Sequence, residues 1–238
     1  MPAPVTFVIP VFNERAVIAD VLEDLCRDVL DRLPGAEAIV VDDGSTDGTD
    51  AVVGELARRH PAVRLMRTGR NMGQGPATVA GFSAADASWL CHIDGDGQVV
   101  PAEFWKLWDA REQADLVIGV RERRQDPAFR LVIARSVRWL MRVLAQRPLA
   151  DAAAPFRLLR REVWEDVRPL TGDRALTFSI LVSLAAARRG WRVVELPVSH
   201  LPRAHGRSRL HGPGLAWFCL RGAAEVLALR MRLRGPRS

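Results

Sequence analysis

Trp89-Leu90-Cys91-His92-Ile93-Asp94-Gly95-Asp96-Gly97-Gln98 is the stretch on which the fold and its chemistry turn. Five mostly apolar residues read as a buried strand. The chain then becomes acidic and glycine-rich at the point where that strand must end. Two carboxylates two residues apart, with no side chain between them, are able to face one cation. Mg²⁺ and Mn²⁺ prefer hard oxygen ligands and usually share them with substrate phosphates. Gln98 offers an amide oxygen to the same ion. An ordinary Asp-Gly turn explains the residue types equally well; the position after a buried strand favours the metal.

Outward from this strand the first half alternates. Residues 5–9, 38–41, 63–66 and 116–120 are further short apolar runs, and 15–32 and 47–59 carry helical spacing between them. Alternation of this kind, with strands apolar on both faces, predicts a mostly parallel α/β sheet with helices on both faces. The polar clusters follow the strands, where open α/β sheets bind ligands. The second half is less regular, with helices expected over 131–144 and 175–189 and a strand over 192–196. No internal repeat or linker divides the chain. The expected division is one domain over 1–211 and a basic amphipathic C-terminal helix and tail over 212–238.

Three other clusters follow strand ends. Pro10-Val11-Phe12-Asn13-Glu14 offers Phe12 to a base and Glu14 to a base or to the next helix start. Asp42-Asp43-Gly44-Ser45-Thr46-Asp47-Gly48-Thr49 ends the second strand on two aspartates; Asp42 suits a base or ribose, while Asp47 suits a helix cap. Asn71, Gly73, Ala77 and Gly81 place small residues where a helix approaches the sheet or a nucleotide closely. No Gly-x-Gly-x-x-Gly follows the first strand, which argues against a dinucleotide dehydrogenase.

The 238 residues carry a net charge of +6, and Lys106 is the only lysine. A GC-rich genome explains arginine over lysine; net basicity still favours anionic partners. From Arg203 onward eight arginines face one acid, Glu225. Cys26, Cys91 and Cys219 are scattered, which argues against a disulfide framework and fits a reducing compartment. The first residues carry no basic n-region, so no signal peptide is expected, and the expected location is cytoplasmic.

The four clusters, in this order and spacing, resemble the family-2 glycosyltransferases of the GT-A (Rossmann-like) fold. Later segments resemble the dolichyl- or polyprenyl-phosphate mannose synthases within it: Gly119-Val120-Arg121; Asp151 with Phe156-Arg157-Leu158; and Glu195-Leu196-Pro197-Val198, followed by Arg203, Gly206, Ser208 and Arg209. The resemblance implies an inverting, metal-dependent hexosyltransferase using Mg²⁺ or Mn²⁺, with Asp94, Asp96 and Gln98 as metal ligands. It assigns Pro10, Phe12, Glu14, Asp42, Asp94, Gly95 and Asp96 to the nucleotide sugar. Arg121, Arg130, Arg203, Ser208 and Arg209 fall to donor or acceptor phosphates. GDP-mannose or a UDP-hexose is the implied donor, and a polyprenyl phosphate at the cytoplasmic membrane face the implied acceptor. Phe12 stands where Tyr is usual, Arg209 where Lys is usual, and Ala134 where a phosphate-binding Ser is often found.

Two other readings stand beside this one. A soluble enzyme glycosylating a small-molecule hydroxyl needs a general base; Asp173 is the first candidate and Asp151 the second, Asp173 being otherwise a helix-start residue paired to Arg174. A non-catalytic nucleotide-binding module is the other. Nucleic acid is not an expected partner, because strand-end carboxylates repel phosphates unless a cation intervenes. In the C-terminal helix Trp217, Leu220, Ala224, Leu227 and Met231 fall on one side, and Arg221, Glu225 and Arg232 on another. That helix is too interrupted to span a bilayer. It suits either a membrane surface or packing against the domain or a second subunit.

Overall fold

The computed structural model describes residues 4–121, 149–202 and 212–233; the side chains of 212–219 are outside that set. Among the described residues seven strands form one sheet: β1 (Val5–Val11), β2 (Glu37–Asp42), β3 (Val63–Arg67), β4 (Trp89–His92), β5 (Leu116–Arg121), β6 (Arg157–Arg160) and β7 (Val193–Val198). Their order is β3-β2-β1-β4-β6-β5-β7. The pairs β1–β2, β1–β4, β2–β3 and β5–β7 are parallel, and β6 runs antiparallel between β4 and β5. The mostly parallel α/β fold is therefore as expected, with β6 as the strand that sequence pattern missed. Four residues, Arg-Leu-Leu-Arg, run directly into a helix and leave no periodic signature of their own.

Side chains alternate across the sheet and build two cores. Val8, Ile39, Val41, Leu90, Leu116 and Leu159 face one side, packed by helices α3 (Gln74–Ala84), α5 (Arg161–Thr171), α6 (Phe178–Arg189) and the second half of α7 (Gly212–Arg232). Phe7, Ile9, Val40, Cys91, Val117 and Leu158 face the other, packed by α1 (Ile18–Leu25), α2 (Thr49–Arg59) and α4 (Phe104–Asp109). Gly81 lets α3 lie against the sheet: a Cβ there would overlap Val8 and come within 3.0 Å of Val41.

Helix starts differ from the periodic pattern by a few residues, and the amides before them bond to side chains from elsewhere in the chain. The helix expected from 15 begins at Ile18, with the Glu14 and Arg15 amides donating to Thr49 Oγ1 and Asp47 Oδ2. After Leu25 it widens into a π turn, Cys26–Leu30, where the Asp31 amide reaches back to the Cys26 carbonyl. The helix expected from 175 begins at Phe178, and the amides of Leu176 and Thr177 before it donate to the Glu225 carboxylate. The helix expected over 131–144 lies outside the described residues.

The C-terminal helix exists but is not simply amphipathic. Gly222, Val226 and Leu229 are buried against the domain, while Leu220, Ala224, Leu227 and Met231 are exposed. Apolar residues thus occupy two sides. No helix among the described residues is long and apolar enough to cross a membrane.

Candidate functional site

Loops after β1, β2, β3 and β4 meet at the carboxyl edge of the sheet, and the first three are stitched together. Asn13, at φ 55°, takes the left-handed conformation that few non-glycine residues adopt. Its amide donates to Ser45 Oγ (2.9 Å), and its Oδ1 accepts from the Thr46 amide (2.8 Å). Asp47 Oδ1 accepts from the Thr49 amide (3.0 Å) and hydroxyl (2.6 Å), so it serves as the expected helix cap although Gly48 occupies the cap position. Pro10 is buried at the end of β1, with Phe12 and Glu14 half-buried beyond it.

The paired aspartates divide their work. Asp42 is buried, and both carboxylate oxygens lie 3.3 Å from the Ser45 amide. Asp43 is the stitch to the third loop. It accepts from the Met72 amide (2.9 Å), the Gly73 amide (2.7 Å) and the Thr68 hydroxyl (3.1 Å). Sequence reading passed over Asp43, because a buried loop anchor and a ligand-binding aspartate look alike in a pair.

The Asp94-Gly95-Asp96 turn is shaped by packing. A Cβ on Gly95 would lie 2.5 Å from Val11 Cγ1 and 3.3 Å from Ile9 Cγ2, so no side chain fits between the two acids. Asp96 Oδ1 accepts from the Gln98 amide (3.1 Å), and Gly97 turns the chain at φ 75°. Gln98 is bound to the segment beyond β7: its Nε2 donates to the Leu201 carbonyl (3.1 Å), and its own carbonyl accepts from the Leu201 amide (2.8 Å). The side-chain amide is thereby oriented with its nitrogen toward Leu201. Two carboxylates and an amide are a hard-oxygen set suited to Mg²⁺ or Mn²⁺. Among the described residues no three His, Cys, Asp or Glu side chains form a complete metal cage. A donor set of this size suits an ion that takes its remaining ligands from a diphosphate.

Behind this turn lie polar groups that the motifs did not announce. Gln74 Nε2 donates to Asp94 Oδ1, and His92 Nε2 lies 3.5 Å from the same oxygen. His92 is fully buried, and burial, aided by the Arg157 charge, pushes its pKa down to about 3. It is therefore neutral at physiological pH. Arg157 is also fully buried and donates to the carbonyls of Ser179 (2.8 Å), Ala152 (3.3 Å) and Ala154. Burial lowers its pKa to about 10, opposed by Asp151 and Asp94, and it stays charged. Gln74 and His92 line a cavity of about 160 Å³ with Thr78, Ala153, Thr177 and Phe178.

Arg121 and Asp151 come together, as two separately expected residues. Arg121 donates from Nε (3.0 Å) and Nη2 (2.9 Å) to Asp151 Oδ2, and Glu195 in turn accepts the amides of Ala150 (2.8 Å) and Asp151 (2.9 Å). Asp173 is elsewhere. Its side chain is 69% exposed, its ion-pair partner is Arg168 at 3.5 Å rather than Arg174, and it borders a separate cavity of about 820 Å³ with Arg70, Met72 and Arg221. Arg130, Arg203, Ser208 and Arg209 lie outside the described residues.

Comparison with known proteins adds independent findings. The family model described as Glycosyl transferase family 2 matches residues 6–168. The chain is 34% identical over 219 residues to polyprenol monophosphomannose synthase of Mycolicibacterium smegmatis, covering 87% of this chain and 81% of that protein. It is 31% identical over 208 residues to undecaprenyl-phosphate 4-deoxy-4-formamido-L-arabinose transferase of Edwardsiella ictaluri, spanning 86% of this chain but only 62% of that longer protein. Among solved structures, glucosyl-3-phosphoglycerate synthase from Mycobacterium tuberculosis, in complex with Mn²⁺, UDP-glucose and phosphoglyceric acid, matches all of this chain and 81% of its own, with TM-score 0.74 and 20% identity. A mannosyltransferase from Pyrobaculum calidifontis, in complex with GDP-mannose and Mn²⁺, matches all of this chain and 68% of its own, with TM-score 0.64 and 20% identity. At such identities these two likenesses speak for the GT-A fold.

Proposed function

The chain belongs to glycosyl transferase family 2 and is a glycosyltransferase, and we propose that it moves a hexose from a nucleoside-diphosphate donor to a polyprenyl phosphate with inversion, GDP-mannose being the first donor to test. The observation that carries the reading is the Asp94-Gly95-Asp96 turn, packed against β1 so that two carboxylates share the carboxyl edge of the sheet with the Phe12–Glu14 and Asp42 loops. Asp94, Asp96 and the Gln98 oxygen hold Mg²⁺ or Mn²⁺. Pro10, Phe12, Glu14 and Asp42 border the nucleoside. The acceptor oxygen attacks the anomeric carbon from the face opposite the nucleotide, the bond from that carbon to the diphosphate breaks, and the electron pair leaves on the diphosphate. A divalent cation bound there supplies positive charge to the leaving group. Arg121, held by Asp151, presents a fixed guanidinium to phosphate; in this reading Arg130, Arg203 and Arg209 add guanidinium groups and Ser208 a hydroxyl.

A lipid-phosphate acceptor is favoured by the names of the two sequence relatives, both of which specify polyprenol-type lipids, and by the placement of Asp173. A phosphate monoester is already an anion near neutrality, with a second pKa of about 6, and needs no general base. An alcohol acceptor does need one, and Asp173 borders a different cavity from the one Gln74 and His92 line. The outward residues Leu220, Leu227 and Met231, with Arg221, Arg230 and Arg232 on the same helix, suit contact with an anionic bilayer surface.

The test is a donor panel of GDP- and UDP-sugars with a short polyprenyl phosphate, with Mn²⁺ and with chelator. Transfer to the lipid only with metal is the expected result; chelator-resistant transfer overturns the metal assignment. In the same assay Asp173→Asn is expected to retain activity, whereas a general base contributes about 10²–10⁴-fold. A loss of that size moves the reading to a hydroxyl acceptor.

A further inference from the structure

Asp94 has to point one way for a shared cation, yet a carboxylate on a glycine-rich turn rotates easily. One donor bonds its Oδ1, and a ring nitrogen from a different element lies beside it. The donor is Gln74 Nε2 from the first residue of α3; the ring nitrogen is His92 Nε2, 3.5 Å away on β4. His92 Nε2 also lies 3.4 Å from Thr78 Oγ1, whose own hydroxyl donates to the Gln74 carbonyl (2.8 Å). With the Thr78 hydroxyl donating to Gln74, the Nε2–H tautomer is the one that donates to Thr78 Oγ1, and the other ring nitrogen is buried without a partner among the described residues.

Gln74 sits on a rigid mount. The amide of Gly73, at φ 97°, donates to Asp43 (2.7 Å), so the residue before the helix cannot drift. Gly75 packs so closely on the Ala175 carbonyl that a Cβ there would overlap it. Gly81 fixes the middle of the same helix on the sheet. The side chain that reaches Asp94 is thus aimed by a helix held at both its first turn and its centre.

We propose that Gln74 is a positioning residue: with His92 it clamps one oxygen of Asp94 and so sets that carboxylate for a divalent ion bound with the donor diphosphate. The inference rests on the metal reading above. Nothing in the Asn71-Met72-Gly73-Gln74 run marks Gln74 for this task; only the fold brings it to a residue 20 positions away.

Gln74→Met keeps length and removes the donor. Binding of Mn²⁺ to the whole protein, in the presence of GDP or of UDP, is read from the electron paramagnetic resonance of free Mn²⁺. Nucleotide binding in metal-free buffer and the thermal midpoint are read beside it. One charge-assisted hydrogen bond corresponds to about tenfold weaker Mn²⁺ binding in the variant, with metal-free nucleotide binding and midpoint unchanged. Equal Mn²⁺ affinity in variant and native protein overturns the inference alone. So does a fall in midpoint together with metal-free nucleotide binding, which marks a purely structural role. Nucleotide binding by the native protein that is indifferent to Mn²⁺ overturns the metal reading itself, and the inference with it.

Discussion

Asp94 and Asp96 were visible in the sequence because their chemistry is local: two acids, a glycine and a strand end. The reason the middle residue must be glycine was not visible. It lies in Val11 and Ile9, more than 80 positions earlier, whose methyl groups fill the space a Cβ would need. Asp96→Asn keeps the shape and the contact with the Gln98 amide but removes the charge. Its kcat/KM is expected to fall at least about 100-fold, the order reported for losing a preorganised electrostatic contact, with an unchanged thermal midpoint. Full activity in that variant removes Asp96 from the site. His92 was illegible for a different reason, and Arg157 was read only as part of the Phe156-Arg157-Leu158 resemblance, with no role of its own. A lone histidine in an apolar strand is more often a satisfied core residue, and burial beside Asp94 is what gives both a bearing on the site.

Helices and strands were legible where their pattern is long, and misplaced where tertiary contacts claim their ends. Glu225 shows the mechanism. Although it pairs with Arg221 at 3.8 Å as the i,i+4 spacing suggests, its carboxylate also caps α6 by accepting the amides of Leu176 and Thr177, both at 3.0 Å, and the Thr177 hydroxyl at 2.7 Å. Glu225→Ala strips three half-buried donors of their partner. Stability is expected to fall by about 2 kcal/mol, read by urea unfolding; an unchanged unfolding midpoint shows that the cap contributes nothing. A second knot joins β5, β6 and β7. Asp115 accepts from the Arg192 amide and guanidinium (3.0, 3.1 and 2.8 Å) and from Arg160 Nε (3.2 Å). The Arg192 hydrogen bonds hold its carboxyl below the usual range. A depressed folded pKa means the unfolded chain binds the proton first, so this stability is present above the unfolded pKa of about 3.9 and lost as pH falls below it. Arg192 is 54% exposed and solvent weakens the pair, so Asp115→Asn is expected to cost about 1–2 kcal/mol at pH 7. The gap to the native protein should close as the pH is taken below that range. A gap independent of pH assigns the effect to packing instead.

For the molecule as a whole, the sheet order puts every expected donor-site segment at one edge, and α7 returns the C-terminus to the back of the same domain. Val226 and Leu229 of α7 are buried in the core formed by α3, α5 and α6. The side of α7 that faces out mixes Leu220, Leu227 and Met231 with Arg221, Arg230 and Arg232, a combination that suits an anionic surface. Flotation with vesicles rich in anionic lipid is expected for the native protein, weakening with salt, and is expected to be lost in Leu220→Glu/Leu227→Glu. Equal flotation on neutral vesicles, or by the double variant, sets the surface role aside. Alternation of apolar runs was enough to read an α/β sheet, and four strand-end clusters in order were enough to read the glycosyltransferase resemblance, because both are written in short windows of neighbouring residues. The antiparallel β6, the Gln74–His92 clamp, the Arg121–Asp151 pair and the exposure of Asp173 came only with the folded chain. Each depends on which distant segments the sheet brings side by side, and no local pattern encodes a partner 14 to 71 positions away.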